Sequence, residues 1–185
     1  MPYFSPPLSL CLAVASVGVL DACTQASTPS SNSSATTSGD VDALLIALDD
    51  EYKAEATYEA VLAKFGNARP FSNIINAEIR HSKAAKAELD RLGVSYPTVN
   101  PYKGKIAAPA SLLEACKIGI TAEEENIALY DRILPTIKDQ QVRTVLSNLQ
   151  AASRDRHLPA FRRCVDRGGT MGAGRGGGMG RGGGL

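Results

Sequence analysis

The sequence predicts an all-α domain, a four-helix bundle made of two antiparallel helical hairpins joined by a long crossover. Three observations lead there. Apolar residues recur at helical spacing in four separate stretches between residues 40 and 167. The joints within each pair of stretches are short, whereas 17 residues, 94–110, separate the two pairs. The composition, 44% hydrophobic with only 5% aromatic and no Trp, suits packed helices better than a β-sandwich. At 185 residues the chain has the size of one domain. A formal charge of +1 leaves no basic field to hold nucleic acid.

The first helix is expected over 40–65, with Gly66 as its C-cap and an inner stripe of Leu44, Leu48, Glu51, Glu55, Tyr58, Leu62 and Phe65. The second follows Pro70, with Ser72 or Asn73 as N-cap, and ends at Gly93. Its stripe is Phe71, Ile74, Glu78, His81, Ala85, Leu89 and Leu92. Segment 94–110 carries Pro97, Pro101, Gly104 and Pro109 and is long enough to cross the bundle. The third helix opens on Ser111-Leu112-Leu113-Glu114, the pattern of a capping box. Cys116, Ile120, Glu123, Ile127, Tyr130 and Leu134 form its stripe, and Pro135 marks the turn. The fourth spans 139–166, with Val142, Leu146, Leu149, Ser153, His157, Ala160 and Cys164 in line and a bend at Pro159.

Both ends read as lying outside the fold. Residues 8–20 form an apolar run of signal-peptide length, so 1–22 is expected to be an export signal. Leu20-Asp21-Ala22-Cys23 is similar to a bacterial lipobox, which makes Cys23 a candidate for lipidation and membrane anchoring; an ordinary cleaved signal is the alternative. No Lys or Arg precedes the run, and Asp21 is unusual at its position. Residues 23–39 are rich in Ser and Thr, the composition of a tether between an anchor and an exported domain. Residues 168–185 are a Gly/Arg/Met tail, expected to be disordered. Setting Asp21 aside with one end and Arg175 and Arg181 with the other leaves a neutral middle.

Chemistry enters through polar residues inside apolar stripes. Glu51, Glu78, His81, Glu123 and His157 each occupy a place where Leu or Ile is expected. A buried bare carboxylate costs several kcal/mol, on the order of a lost ion pair, unless something compensates, and a cation does so. Glu78-Ile79-Arg80-His81 places a carboxylate and an imidazole on one helical face. Such donors suit iron or manganese. Dimetal four-helix bundles take one Glu from each of two helices and Glu-x-x-His from each of the other two. This chain supplies all but one of those ligands. Arg154 stands where the last Glu is expected; Ser153 shares the His157 face but is a poor ligand, Asp155 points elsewhere on a regular helix, and Glu55, on the first helix's inner stripe, is the candidate substitute. Three readings follow: a dinuclear site with one asymmetric ion, a single-ion site, or a degenerate site held by hydrogen bonds, in which Arg154 neutralises carboxylates. Tyr58 and Tyr130 each follow a Glu by seven residues, the trace of a duplicated hairpin; they either pack or donate hydrogen bonds to the carboxylates.

The run 50–58, Phe71-Ser72-Asn73-Ile74, Glu78-Ile79-Arg80-His81, Glu123, and His157-Leu158-Pro159-Ala160-Phe161 resemble the uncharacterised ferritin-like family called domain of unknown function 2202, more distantly similar to rubrerythrins. The resemblance covers 40–167. It implies a ferritin-like bundle with a diiron-type site carried by the five residues above, and no established reaction. Rubrerythrin-like chemistry would be redox, toward O₂ or peroxide. No rubredoxin-like Cys pair is present, so an electron donor would be a separate molecule; a homodimer is compatible with the sequence. Binding without turnover, or a structural role, are the alternatives. If Glu123 faces His157 across the second hairpin, Cys116 and Cys164, each seven residues from its neighbour, face each other. In an exported protein that pair is expected to form a disulfide.

Overall fold

The structure, a computed structural model, describes residues 38–170. The expected signal 1–22, the lipidation candidate Cys23, nearly all of the tether and the tail beyond Thr170 lie outside the described residues. Four rods make up the fold. Helix α1 is Ser38–Phe65, α2 is Phe71–Arg91 and α3 is Leu112–Ile133. After a 3₁₀ turn, Leu134–Thr136, the fourth rod comprises α4, Gln140–Ala152, a π-helical turn, Ser153–His157, and α5, Leu158–Asp166. No helix among the described residues is long and apolar enough to cross a membrane.

Local chemistry fixes the helix ends. Gly66 stops α1 at φ 73°, and its amide donates to the Leu62 carbonyl. Gly93, at φ 68°, closes α2 in a Schellman motif: its amide reaches Asp90 and the amide of Val94 reaches Leu89. Ser111 caps α3 by accepting from the Glu114 amide at 3.1 Å. The Glu114 carboxylate returns to the Ala110 amide, one residue before the expected partner of a capping box. Asp139 caps α4 by accepting from the amides of Gln141 and Val142. The α2 start differs from expectation. It begins at Phe71 on Pro70, with no side-chain cap, and the free amides of Ser72 and Asn73 are taken by the carbonyls of Ala68 and Pro70. The fold also extends past 167. Gly169 donates to the Cys164 carbonyl to close α5, and a Cβ there would lie 2.4 Å from the Leu113 backbone nitrogen.

The crossover runs along α1 for most of its length. Tyr52 donates to the Pro97 carbonyl, Asn100 to the Tyr52 carbonyl, and Lys103 pairs with Glu59 at 3.0 Å. Near the far end Lys64 donates to the Pro109 carbonyl. The chain thus returns to the end of α1 before α3 begins, so α3 runs antiparallel to α1. This is the hairpin–crossover–hairpin order the connection lengths predict.

Pro159 does more than bend the fourth rod. A proline ring collides with the carbonyl four residues back in a regular α-helix. Here the helix widens by one residue: the Leu158 amide reaches back to Ser153, an i to i−5 bond. Arg154, Asp155 and Arg156 consequently all face solvent, while Ser153 and His157 stay buried. Beyond the turn, Phe161 rather than Ala160 becomes the fully buried residue.

Two apolar clusters fill the bundle. One holds Leu44, Leu48, Leu89, Ile137, Val142 and Leu146. The other holds Val61, Phe71, Ile74 and Phe161, with the disulfide Cys116–Cys164, Cα–Cα 6.0 Å. Between them, level with the middle of each rod, lies a layer of buried charge: Glu51, Glu78, Glu123 and His157. Those four residues are at most 4% exposed.

Candidate metal centre

Each rod sends a ligand-type side chain into the polar layer. Helix α1 contributes Glu51, α2 contributes Glu78 and, one turn on, His81, α3 contributes Glu123, and the π turn contributes His157. The structure brings all five together in two overlapping groups. Glu51, Glu78 and His81 have donor atoms within 4.8 Å of one another, and so do Glu78, Glu123 and His157. Glu78 belongs to both.

The geometry has an approximate twofold pattern about Glu78. One Glu78 oxygen, Oε2, lies 2.9 Å from His81 Nδ1; the other, Oε1, lies 3.0 Å from His157 Nδ1. His81 Nδ1 is also 3.3 Å from Glu51, and His157 Nδ1 is 3.6 Å from Glu123. The imidazoles stack at 5.6 Å between ring centres. The two tyrosines complete the pattern by exchange. Tyr58 of α1 donates to Glu123 of α3 at 3.0 Å, and Tyr130 of α3 donates to Glu51 of α1 at 3.2 Å. Antiparallel α1 and α3 place each tyrosine opposite the other helix's Glu. Sequence spacing links each Tyr only to the Glu of its own helix, so it reveals the residue types and not the partners.

Buried so close together, the groups shift one another. Burial, then the neighbouring Glu78 carboxylate, push Glu51 well above the usual carboxylate range. For Glu78 burial acts in the same sense, yet the contacts with His157 and His81 outweigh it and hold its carboxyl below that range. Burial works to lower His157, but the carboxylates of Glu123 and Glu78 raise it to about 9. Burial and the adjacent carboxylates lift both Tyr58 and Tyr130 well above 10, so they remain donors.

The donor set fits a divalent cation of the hard or borderline kind, with carboxylate oxygens and imidazole nitrogens facing one another. His157 Nδ1 makes the fit specific. It is buried and, despite the nearby carboxylates, has no hydrogen bond of proper geometry. The carboxylates of Glu78 and Glu123, 3.0 and 3.6 Å away, hold a proton on this ring, and a cation among them would take that proton's place on the nitrogen. The remaining candidates are accounted for. Arg154 is exposed and pairs with Asp155 at 3.1 Å, so it neutralises none of the buried carboxylates. Glu55 accepts from Ser82 at 2.5 Å and is absent from both donor groups.

One access to the layer lies between α1 and α3. A cavity of about 390 Å³ between α1 and α3 has Glu51, Glu78 and Glu123 in its lining, together with Phe71 and Val61 and the exposed Lys53 and Lys117. Asp50 and Asn126 also line it and are joined across it by a hydrogen bond of 2.5 Å. The sequence gives one signal of this pair: Asn126 follows Glu123 by three residues and so shares its face.

Comparisons agree with this architecture. The uncharacterised protein MJ0754 of Methanocaldococcus jannaschii is 25% identical over 140 residues, covering 68% of this chain and 75% of that protein. The crystal structure of hypothetical protein MJ0754 superposes with a TM-score of 0.62 at 23% identity, covering 70% of this chain and 81% of that one. A conserved hypothetical protein of Mycobacterium tuberculosis, rv2844, gives 0.59 at 16% identity, covering 70% and 92%. The bacterioferritin BfrA of the same organism gives 0.59 at 13%, covering 69% and 84%, which places the fold among ferritin-like bundles. The model of the uncharacterized protein domain DUF2202 matches residues 40–174, most of the chain and every residue of the polar layer. The chain belongs to the DUF2202 family, a family with a ferritin-like fold.

Proposed function

We propose that this protein binds a pair of iron or manganese ions in its core, Glu51, Glu78 and His81 holding one and Glu78, Glu123 and His157 the other. The observation that carries this reading is the double role of Glu78, whose two oxygens each face the Nδ1 of a different histidine at 2.9 and 3.0 Å. That is the disposition of a bridging carboxylate, and it favours two ions over one. It also removes the need for a Glu at position 154, since each donor group already has three members. Such a pair, when bound, supplies redox chemistry toward O₂ or peroxide.

The protein's own groups then have defined tasks. Glu78 would be shared between the two ions, His81 and His157 would each supply a nitrogen to one of them, and the tyrosine hydroxyls orient Glu123 and Glu51 and hold a proton beside each. The apolar clusters above and below lower the local dielectric and so strengthen the electrostatic contacts in the layer. The α1–α3 cavity admits a small molecule to the carboxylate side. Protein produced with iron or manganese supplied should carry metal in proportion to chain. Consumption of peroxide or O₂ with an added reductant then separates a redox enzyme from a metal-binding protein.

A second reading, a polar core held by hydrogen bonds alone, has one observation in its favour. The His81–Glu78 and tyrosine–glutamate bonds pair several of the buried groups without a cation. Metal-free protein after growth with both metals would support it. For location, residues 1–39 favour an exported, membrane-anchored protein with lipid on Cys23. Mass analysis of the N-terminal peptide from native membranes tests this, and a soluble protein lacking acyl mass would refute it.

A further inference from the structure

The contact between α1 and α3 is polar at its centre. Three buried or half-buried side-chain hydrogen bonds span it: Tyr58 to Glu123, Tyr130 to Glu51, and Asn126 to Asp50. The first two serve carboxylates of the proposed centre. The third serves none of its ligands. Asp50 is half-buried and Asn126 only 8% exposed, and both line the cavity that leads from solvent to Glu51, Glu78 and Glu123. The Asn126 amide nitrogen donates to Asp50, while its Oδ1 is buried with no partner. A buried amide oxygen left unpaired costs about 1–3 kcal/mol, a cost that a bound water or cation would offset.

We propose that Asp50 and Asn126 form a way-station for a divalent cation entering through the α1–α3 cavity on its way to the buried carboxylates. The inference rests on the metal-centre reading above and adds a route to it. The chemistry suits transit rather than storage. One carboxylate and one neutral carbonyl oxygen are hard donors, yet too few to hold a cation that also keeps most of its water. At the rim, Lys53 and Lys117 are offset by Glu125 and Asp50, and the lining continues inward to Glu51, Glu78 and Glu123, the oxygen donors of the proposed centre. On arrival the cation meets the Asp50 carboxylate, the Asn126 amide turns to offer its Oδ1, and the ion passes on to Glu51 or Glu123 as these displace its water. Neither residue is a final ligand; both act on the rate of loading.

The test is cobalt(II) uptake by the metal-free full chain, followed by the visible absorption that cobalt gains on moving from water into carboxylate and imidazole donors. Asp50→Asn keeps the shape and removes the charge. Asn126→Leu keeps the branched outline and removes the oxygen. Each should slow loading about tenfold, at the low end of what electrostatic focusing supplies. Final cobalt per chain and the final spectrum should match wild type, and the double variant should be no slower than the slower single one. Loading rates within twofold of wild type in both variants would overturn the proposal. So would a lowered final stoichiometry, which would make Asp50 or Asn126 part of the centre itself. A wild-type chain that takes up no cobalt would overturn the centre along with its route, whereas loss of uptake in Glu78→Ala with normal uptake in wild type upholds the centre independently.

Discussion

Replacing Gly119 by Ala sets two effects of opposite sign against each other. Gly119 lies inside α3, where Ala is favoured over Gly by about 1 kcal/mol on helix propensity. A Cβ at this position, however, would meet Cδ1 and Cε1 of Phe161 at 2.7 Å and Cγ at 2.9 Å. The ring cannot swing aside. It packs at 5.1 Å from the Phe71 ring centre and 5.7 Å from that of Tyr58, and the residue is fully buried. Relief therefore requires α3 and α5 to separate, at a cost of about 1–3 kcal/mol typical of overpacking, rising with backbone movement. Overlap with three ring atoms puts the cost in the upper part of that range, so the variant should be destabilised by about 1–2 kcal/mol net. Thermal or urea unfolding of metal-free protein reads this directly, as a fall in Tm of about 3–8 °C. Phe161→Leu supplies the control: in that background the same Gly119→Ala change should stabilise by about 1 kcal/mol, because only the helix term remains. A stabilised single variant would refute the packing argument, as would equal effects in the two backgrounds.

Other consequences are as direct. Tyr58→Phe and Tyr130→Phe each leave a buried glutamate oxygen without its donor, and each should cost about 1–3 kcal/mol with little change in metal per chain. Similar losses from the two, measured by unfolding, are expected from the exchange pattern. Asp139→Ala should cost about 1 kcal/mol through loss of the α4 cap and of the 3.0 Å pairing with Arg91. Although burial opposes it, the capping amides and Arg91 depress the Asp139 pKa below 3.8. Its contribution is therefore complete above pH 3.8 and lost as pH falls through the depressed value, so the stability curves of wild type and variant should converge in acid. Cutting the disulfide by Cys116→Ser with Cys164→Ser opens a loop with 48 residues of separation and should cost about 4 kcal/mol, seen as a large fall in the urea midpoint.

The residues explain why some of this was legible in the chain and some was not. Helical period is strong in long stripes such as Leu44-Leu48-Glu51, and a glutamate in such a stripe announces itself because burial penalises it so heavily. The five residues of the polar layer were therefore visible as misfits, and the spacing of Cys116 and Cys164 from Glu123 and His157 pointed to their pairing. Connection lengths supplied the crossover. What escaped depends on contacts between rods. The cross-helix exchange of Tyr58 and Tyr130 follows from the register of α1 against α3, which neither helix encodes alone. The bond from Asn126 to Asp50 has the same origin. Widening at Ser153–His157 is a response to the Pro159 ring, and it decides that Arg154 points to water. The missing cap of α2 reflects Pro70, whose carbonyl takes amides that Ser72 or Asn73 would otherwise have served.

Metal content per chain, measured on purified protein after growth with iron and manganese, tests the central claim most directly when wild type and Glu78→Ala are compared. The account predicts about two ions per wild-type chain and their loss in the variant, because both donor groups share Glu78. Equal metal in the two proteins, or none in either, would contradict it.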